Sequence, residues 1–179
     1  MSLNDARGLP VETDRLLIRP MQTEDAAFIL ELLNEPDFLE NIGDKEVRTM
    51  EDALGYIQSA GWDNYRKHGF GMNTVELVDT STRIGICGLL QRETLTFPDV
   101  GFAYLAAFYG RGYATEAGHA MVGVARTVFR LPKVCAFTAV TNEASVRVLR
   151  KLGLEGGEQR HLSTGGPEIR YFERTLSSD

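Results

Sequence analysis

The stretch Tyr109-Gly110-Arg111-Gly112-Tyr113-Ala114-Thr115-Glu116-Ala117 constrains the chain more than any other. An apolar run, 100–105, enters it, and an amphipathic run, to about residue 129, leaves it. That pattern predicts a strand, a tight turn and a helix. Gly110 and Gly112 carry no Cβ, so the backbone can bend sharply there and a bulky group can lie close to it. The first turn of the helix presents N–H groups without an intrahelical partner, at the positive end of the helix dipole. Such an end suits a phosphate or pyrophosphate. A further apolar run, 133–140, follows the helix. A strand–helix–strand crossover of this kind makes its two strands parallel.

The chain before this unit has a different character. A first strand is expected at 15–20, closed by Pro20, then a helix from Thr23, a candidate N-cap, with Ala26, Ile29, Leu30 and Leu33 on one face. Residues 37–48 read as irregular. Thr49 and Asp52 start a second helix, running to about Lys67. Alternation predicts strands at 71–78 and 83–93, joined by the polar turn Asp79-Thr80-Ser81-Thr82. After the crossover, Asn142 starts a short helix with Val148, Leu149 and Leu152 on one face, ended by Gly153. Two final strands are expected near 158–162 and 168–176, set off by Gly156-Gly157 and Gly165-Gly166-Pro167. Small residues at 114, 117 and 118 would let the central helix sit close to a sheet. The fold class is therefore mixed α/β (α+β), with an antiparallel meander feeding a parallel pair.

Composition narrows the function. A chain of 179 residues with 43% apolar and 25% charged residues suits one globular domain over residues 1–179. A net charge of −6 gives no basic footprint for nucleic acid, so no such binding is expected. An acidic surface favours cationic partners such as amines. No apolar run is long enough to cross a membrane, and Met1-Ser2-Leu3-Asn4-Asp5 lacks the features of a signal peptide, so the expected location is cytoplasmic. Cys87 and Cys135, both in apolar runs, are expected to be buried free thiols. His68, His119 and His161 are scattered, and no metal-ligand spacing is present, so no metal is expected.

Two phosphate motifs fail. The P-loop pattern is absent, and Gly110-x-Gly112 is followed by Thr115 where a dinucleotide fingerprint needs a third glycine. No acidic residue lies about twenty positions beyond Gly112. The stretch Gly101-Phe102-Ala103, a spacer, then Tyr109 to Ala117 instead resembles motif A of the GNAT acetyltransferases. Glu12-Thr13-Asp14-Arg15-Leu16-Leu17-Ile18-Arg19-Pro20 and Asn142 through Leu154 resemble the branch of ribosomal-protein N-terminal acetyltransferases (RimJ/RimL type). The resemblance spans roughly residues 12–176. It implies a mostly antiparallel sheet of about seven strands, splayed at the cofactor site and flanked by about four helices. It also implies acetyl-CoA as the acetyl donor. The family's turn pattern falls on Tyr109, Gly112 and Ala114, with Tyr109 departing from its usual first residue. The pyrophosphate would then rest on the N–H groups of Gly110, Arg111, Gly112, Tyr113, Ala114 and Thr115, with the Arg111 side chain adding charge. The pantetheine arm would lie along Phe102, Ala103 and Tyr104, like an added strand.

Acetyl transfer needs a neutral amine, a polarised thioester and a tolerable thiolate. At neutral pH roughly a tenth of α-amines, with pKa about 7.7–8.0, are already neutral. Positioning and carbonyl polarisation are the larger demands. Where the family often has a tyrosine to protonate the thiolate, this chain has Leu149. The resemblance offers Ser145 as substitute, and Asn142 as a hydrogen-bonding partner for the pantetheine arm, besides its role as a cap. For a general base, Asp99 and Glu93 stand at strand ends, although both also fit solvated loop acids. Trp62, Tyr65, Phe70 and Met72 fit either an acceptor pocket or the core. The expected activity is direct transfer, without an acyl-enzyme, to a primary amine, first of all a protein N-terminus. A small-molecule amine or antibiotic is the second choice of acceptor. A CoA-binding regulatory module without transfer is a reading from another class. The oligomeric state stays open, a homodimer included.

Overall fold

The computed structural model describes residues 7–176; residues 1–5, read above for a signal sequence, lie outside them. The described chain opens with β1 (Val11–Glu12) and β2 (Leu16–Pro20), paired antiparallel with Val11 opposite Ile18. At two residues β1 shows no alternation, so the sequence pattern gives seven strands where the sheet has eight. A 3₁₀ turn, Thr23–Asp25, leads into α1 (Ala26–Leu33). Thr23 is the first residue of that turn and not its cap. The Asp25 carboxylate instead accepts from the Gln22 N–H (2.9 Å), from Thr74, and from the guanidinium groups of Arg19 and Arg83. Burial alone would raise the Asp25 pKa, but these donors bring it down to about 2.

The region expected to be irregular holds α2 (Pro36–Asn41), with Pro36 at its first turn, where no N–H is needed. Next comes a helical stretch in three parts: α3 (Met50–Tyr56), a π-helical segment Ile57–Asp63, and α4 (Asn64–His68). Thr49 caps α3, accepting from the Asp52 N–H, as its spacing predicts. Antiparallel strands follow, β3 (Met72–Leu77), β4 (Arg83–Leu90) and β5 (Asp99–Tyr104). The crossover helix is α5 (Tyr113–Thr127), leading to β6 (Lys133–Ala139), α6 (Glu143–Lys151), β7 (Glu155–His161) and β8 (Glu168–Thr175). The strands lie in the order β1-β2-β3-β4-β5-β6-β8-β7, all neighbours antiparallel except β5 and β6. Gly156-Gly157, expected as a separator, instead sits inside β7 at a bulge opposite Phe172 and Tyr171.

Helices cover both faces of the central strands. Cys87 and Leu89 of β4 join a core with Ala117, Met121 and Ala125 of α5, while Ile86, just before them, packs with Ile29, Leu32, Ala53 and Ile57 on the other face. Each fully buried Leu, Ile or Met side chain here contributes about 1.5–3 kcal/mol relative to exposure. A third cluster joins Val146 and Leu149 of α6, and Leu152 just after it, to Ala136 and Phe172. Gly118 serves the helix pair and not the sheet: a Cβ on it would meet Leu152 at 2.6 Å. Cys87 and Cys135 are buried free thiols. Among the described residues, no helix is long and apolar enough to cross a membrane, and no cluster of potential metal ligands occurs.

Candidate active site

The glycine turn has the geometry its residues demand. Gly110 and Gly112 both adopt the left-handed conformation, with φ of +74° and +83°. Gly112 is the N-cap of α5 and supplies no side chain to its first turn. Among the described residues, the N–H groups from Gly110 through Thr115 find no acceptor; the first bond of the helix runs from the Glu116 N–H to the Gly112 carbonyl. A Cβ on Gly110 would meet nothing within 4 Å. Unpaired donors beside open space at a helix N-terminus form an anion cradle.

That turn is held by residues far away in sequence. Glu116 accepts from Thr13 Oγ1 (2.6 Å), the Arg15 N–H (3.0 Å) and Arg15 Nε (2.7 Å). These donors hold the Glu116 pKa down against the opposing effect of its partial burial. Arg15 also donates to the Arg111 carbonyl (3.0 Å) and lies over the Tyr113 ring. This clamp ties the turn to the start of β2. Pattern reading missed it, because no local signal links Arg15 to Glu116 across 101 positions.

The strand feeding the turn parts from its neighbour. β5 and β6 pair only at Asp99 and Cys135, where the Cys135 N–H also reaches the Pro98 carbonyl (2.9 Å). Beyond that point β5 runs about 17 Å to its end. The Leu105 N–H bonds to Ile84, and Ala103 and Gly101 lie opposite Ile86 and Gly88. By the alternation of an antiparallel pair, the backbone groups of Ala103 and Gly101 point to β4. Those of Phe102 and Tyr104 point into the gap, beyond the single pairing with β6. An extended chain laid in the gap would meet Phe102 and Tyr104 through the backbone, and Ala103 only through its methyl.

The gap opens on a cleft of about 1080 Å³. Asp99, Phe102, Ala103, Asn142 and Ser145 all line it, as do Tyr56, Arg92, Phe137 and Ile169. The cleft thus unites residues that the sequence scatters over a hundred positions. Asn142 caps α6 by accepting from the Ser145 N–H (3.0 Å), which leaves its amide N–H₂ for another partner. Leu149, in place of a tyrosine, lines the cleft from α6 and is itself buried. Of the four side chains proposed for an acceptor pocket, only Met72 lines the cleft. Tyr65 is buried against Asn73, Phe70 packs edge-on to Phe129, and Trp62 donates to the Met21 carbonyl. Glu93 is exposed and Asp99 is not. Asp99 is 2% exposed and ion-paired with Arg92 Nε at 2.9 Å, so it is no solvated loop acid. Desolvation raises its pKa, opposed by Arg92. The Tyr56 phenol is pushed up to about 12, also by desolvation.

A family profile described as "Acetyltransferase (GNAT) domain" matches residues 15–155. The chain belongs to the GNAT acetyltransferases. Relatives in Bacillus subtilis (strain 168) include YkkB, uncharacterized, 29% identical over 147 residues, covering 79% of this chain and 83% of that protein. Another is YoaA, called an uncharacterized N-acetyltransferase, 26% identical over 148 residues, covering 81% and 82%. RimL, a ribosomal L7/L12 α-N-protein acetyltransferase solved with coenzyme A, shares the fold at a TM-score of 0.79 and 13% identity, covering 95% of this chain and 99% of that one. A Vibrio cholerae spermidine N-acetyltransferase solved with CoA and spermine gives 0.74 at 16% identity, covering 93% and 98%. At these identities the likeness to solved structures is one of fold. This GNAT acetyltransferase is an acyltransferase with acetyl-CoA as its cosubstrate. The cradle of unpaired N–H groups and the open strand edge fit the pyrophosphate and the amide-bearing arm of that molecule.

Proposed function

We propose that this enzyme transfers the acetyl group directly to a primary amine, with a protein N-terminal α-amine as the acceptor, as in the RimJ/RimL-type branch. The gap between β5 and β6 carries the transfer reading, and the resemblance of 12–20 and 142–154 to that branch supports the choice of acceptor. The gap leads from the turn at Gly110–Thr115 to one cleft holding Asp99 and Ser145. The pyrophosphate rests on the turn, and Arg111, exposed beside it, adds charge. The pantetheine arm follows β5, bonded by Phe102, Tyr104 and the Asn142 amide. The amine nitrogen attacks the thioester carbonyl, a C–N bond forms and the C–S bond breaks. Asp99 takes the proton from the amine, for which a carboxylate with a raised pKa is suited. Ser145 Oγ donates to the departing sulfur and regains a proton from water. A thiol of pKa about 8.5 asks little of that donor.

A small-molecule amine is the second reading, favoured by the exposed acids Glu40, Glu46, Glu51 and Glu168 that line the cleft. The test is a titration with acetyl-CoA followed by a screen of amines and N-terminal peptides for release of free thiol. Peptide acetylation at the α-amine supports the first reading, and release only with polyamines or other small amines supports the second. No binding at millimolar acetyl-CoA would sink both.

A further inference from the structure

The cleft holds two cationic side chains that the transfer chemistry does not use. Arg92 lies where β5 and β6 separate, its guanidinium over the Phe137 ring at 5.1 Å and its Nε on Asp99. Neither of its terminal nitrogens has an acceptor among the described residues. Lys45 lines the same cleft, likewise without an ion-pair partner among the described residues. The two sense each other: the Lys45 pKa is lowered, first by desolvation and then by the charge of Arg92. Of the other charged groups around the cleft, Asp52 is tied to the start of α3, and Glu40, Glu46, Glu51 and Glu168 are exposed. Asp99 pairs with Arg92, and Lys45 is ion-paired with none of these carboxylates among the described residues.

We propose that Arg92 and Lys45 form a subsite for an anionic group on the acceptor, so that the favoured substrate is a primary amine bearing a carboxylate nearby. The planar pair of Arg92 terminal nitrogens matches a carboxylate in two-point fashion, and Phe137 fixes the guanidinium plane. The acceptor ammonium then lies toward Asp99 and its carboxylate toward Arg92 and Lys45, which orients the amine. This subsite rests on the transfer reading above. Its carboxylate can come from an acidic side chain next to a protein N-terminus or from the α-carboxylate of a free amino acid.

The experiment separates these sources, and its binding arm needs no turnover. CoA-saturated enzyme is titrated by calorimetry with two product pairs: an N-acetylated, C-terminally amidated peptide with glutamate or glutamine at its second position, and N-acetylserine or its amide. In parallel, the unacetylated peptides, serine and serinamide are assayed for thiol release. The acid form should bind at least tenfold more tightly than the amide in one pair, and that pair names the source. The preference should fall below threefold in Lys45→Gln and in Arg92→Gln. Arg92→Lys should keep part of it. Lys45→Gln changes an exposed residue and keeps the test valid should loss of Arg92 destabilise Asp99. Equal binding of acid and amide in both pairs, or a preference that survives both glutamine variants, overturns the subsite. A preference without thiol release from any amine upholds the subsite and overturns the transfer reading; release without a preference does the reverse.

Discussion

Replacing Gly112 by valine tests the donor turn most directly. At φ of +83° the backbone suits glycine, and a β-branched residue there is a steric outlier. The left-handed conformation costs an L-residue about 1–2 kcal/mol. For a chain of this size that is a fall in Tm of roughly 2–8 °C, so the variant folds. The functional loss should be larger. A valine that escapes the strain by rotating its φ turns the neighbouring N–H groups of Gly112 and Tyr113 away from the cradle. Two hydrogen bonds to a charged phosphate are worth about 1.5–3 kcal/mol each. Their loss weakens acetyl-CoA by about 10² to 10⁴-fold.

Calorimetry with acetyl-CoA reads the affinity, and a thermal melt reads the stability. Gly165→Val is the matched control, since Gly165 has φ of +76°, open space around it and a place in the β7–β8 turn. It should lose similar stability and no affinity. S-acetylpantetheine, which lacks the pyrophosphate, should bind the Gly112 variant and the parent alike. A folded Gly112→Val protein that binds acetyl-CoA within threefold of the parent would refute the assignment of the cradle, as would an equal loss in Gly165→Val.

Three further outcomes follow from individual side chains. Asp25, with a folded pKa of about 2 against an ordinary 3.8, contributes about 2 kcal/mol above pH 4, lost as the pH falls toward 2. Urea unfolding of Asp25→Asn should show at least that loss at pH 7 and a flatter acid limb; equal stabilities at pH 7 would refute the buried cluster. For Asp99, kcat/KM should rise with pH as its carboxyl ionises, above the ordinary carboxylate range, because burial raises its pKa. In Asp99→Asn that limb should vanish and kcat fall by about 10²-fold; an unchanged pH profile would remove Asp99 as the base. Ser145→Ala should lower kcat about tenfold, less than a general acid usually contributes because the thiol leaves readily, with little change in KM for acetyl-CoA. An unaltered kcat would reduce Ser145 to the helix N-terminus it helps to build.

What the sequence discloses is set by range. The turn at Gly110–Gly112, the cap at Thr49 and the cap at Asn142 each depend on residues within a few positions, and each is found where the pattern places it. The π-helical segment at Ile57–Asp63 keeps helical spacing at both ends, so it reads as ordinary helix. β1 is too short to show a period. Asp99 looks like a loop acid because Pro98 precedes it and its partner, Arg92, lies across a connection that folds back over it. The clamp of Thr13 and Arg15 on Glu116 is invisible to any local rule, although it fixes the part of the chain that is easiest to read. The gap between β5 and β6 depends on a pairing that stops after one register pair, which neither strand's composition signals.

Donor and acceptor ends are therefore built by different means. The proposed donor cradle is one contiguous turn, built by residues within a few positions of one another. The cleft proposed for the acceptor is lined by Lys45 and Arg92 from connections, and by Tyr56 at the end of α3 and Ile169 at the start of β8. Connections tolerate changes in length and sequence better than the elements they join. The β5–β6 separation is held by strand pairing on both outer sides, β4 on β5 and β8 on β6, and does not depend on those connections. A chain of this design can change its amine without disturbing its acetyl donor. The side chains of Arg92 and Lys45, and not the glycine turn, are where this enzyme's choice of amine should be sought.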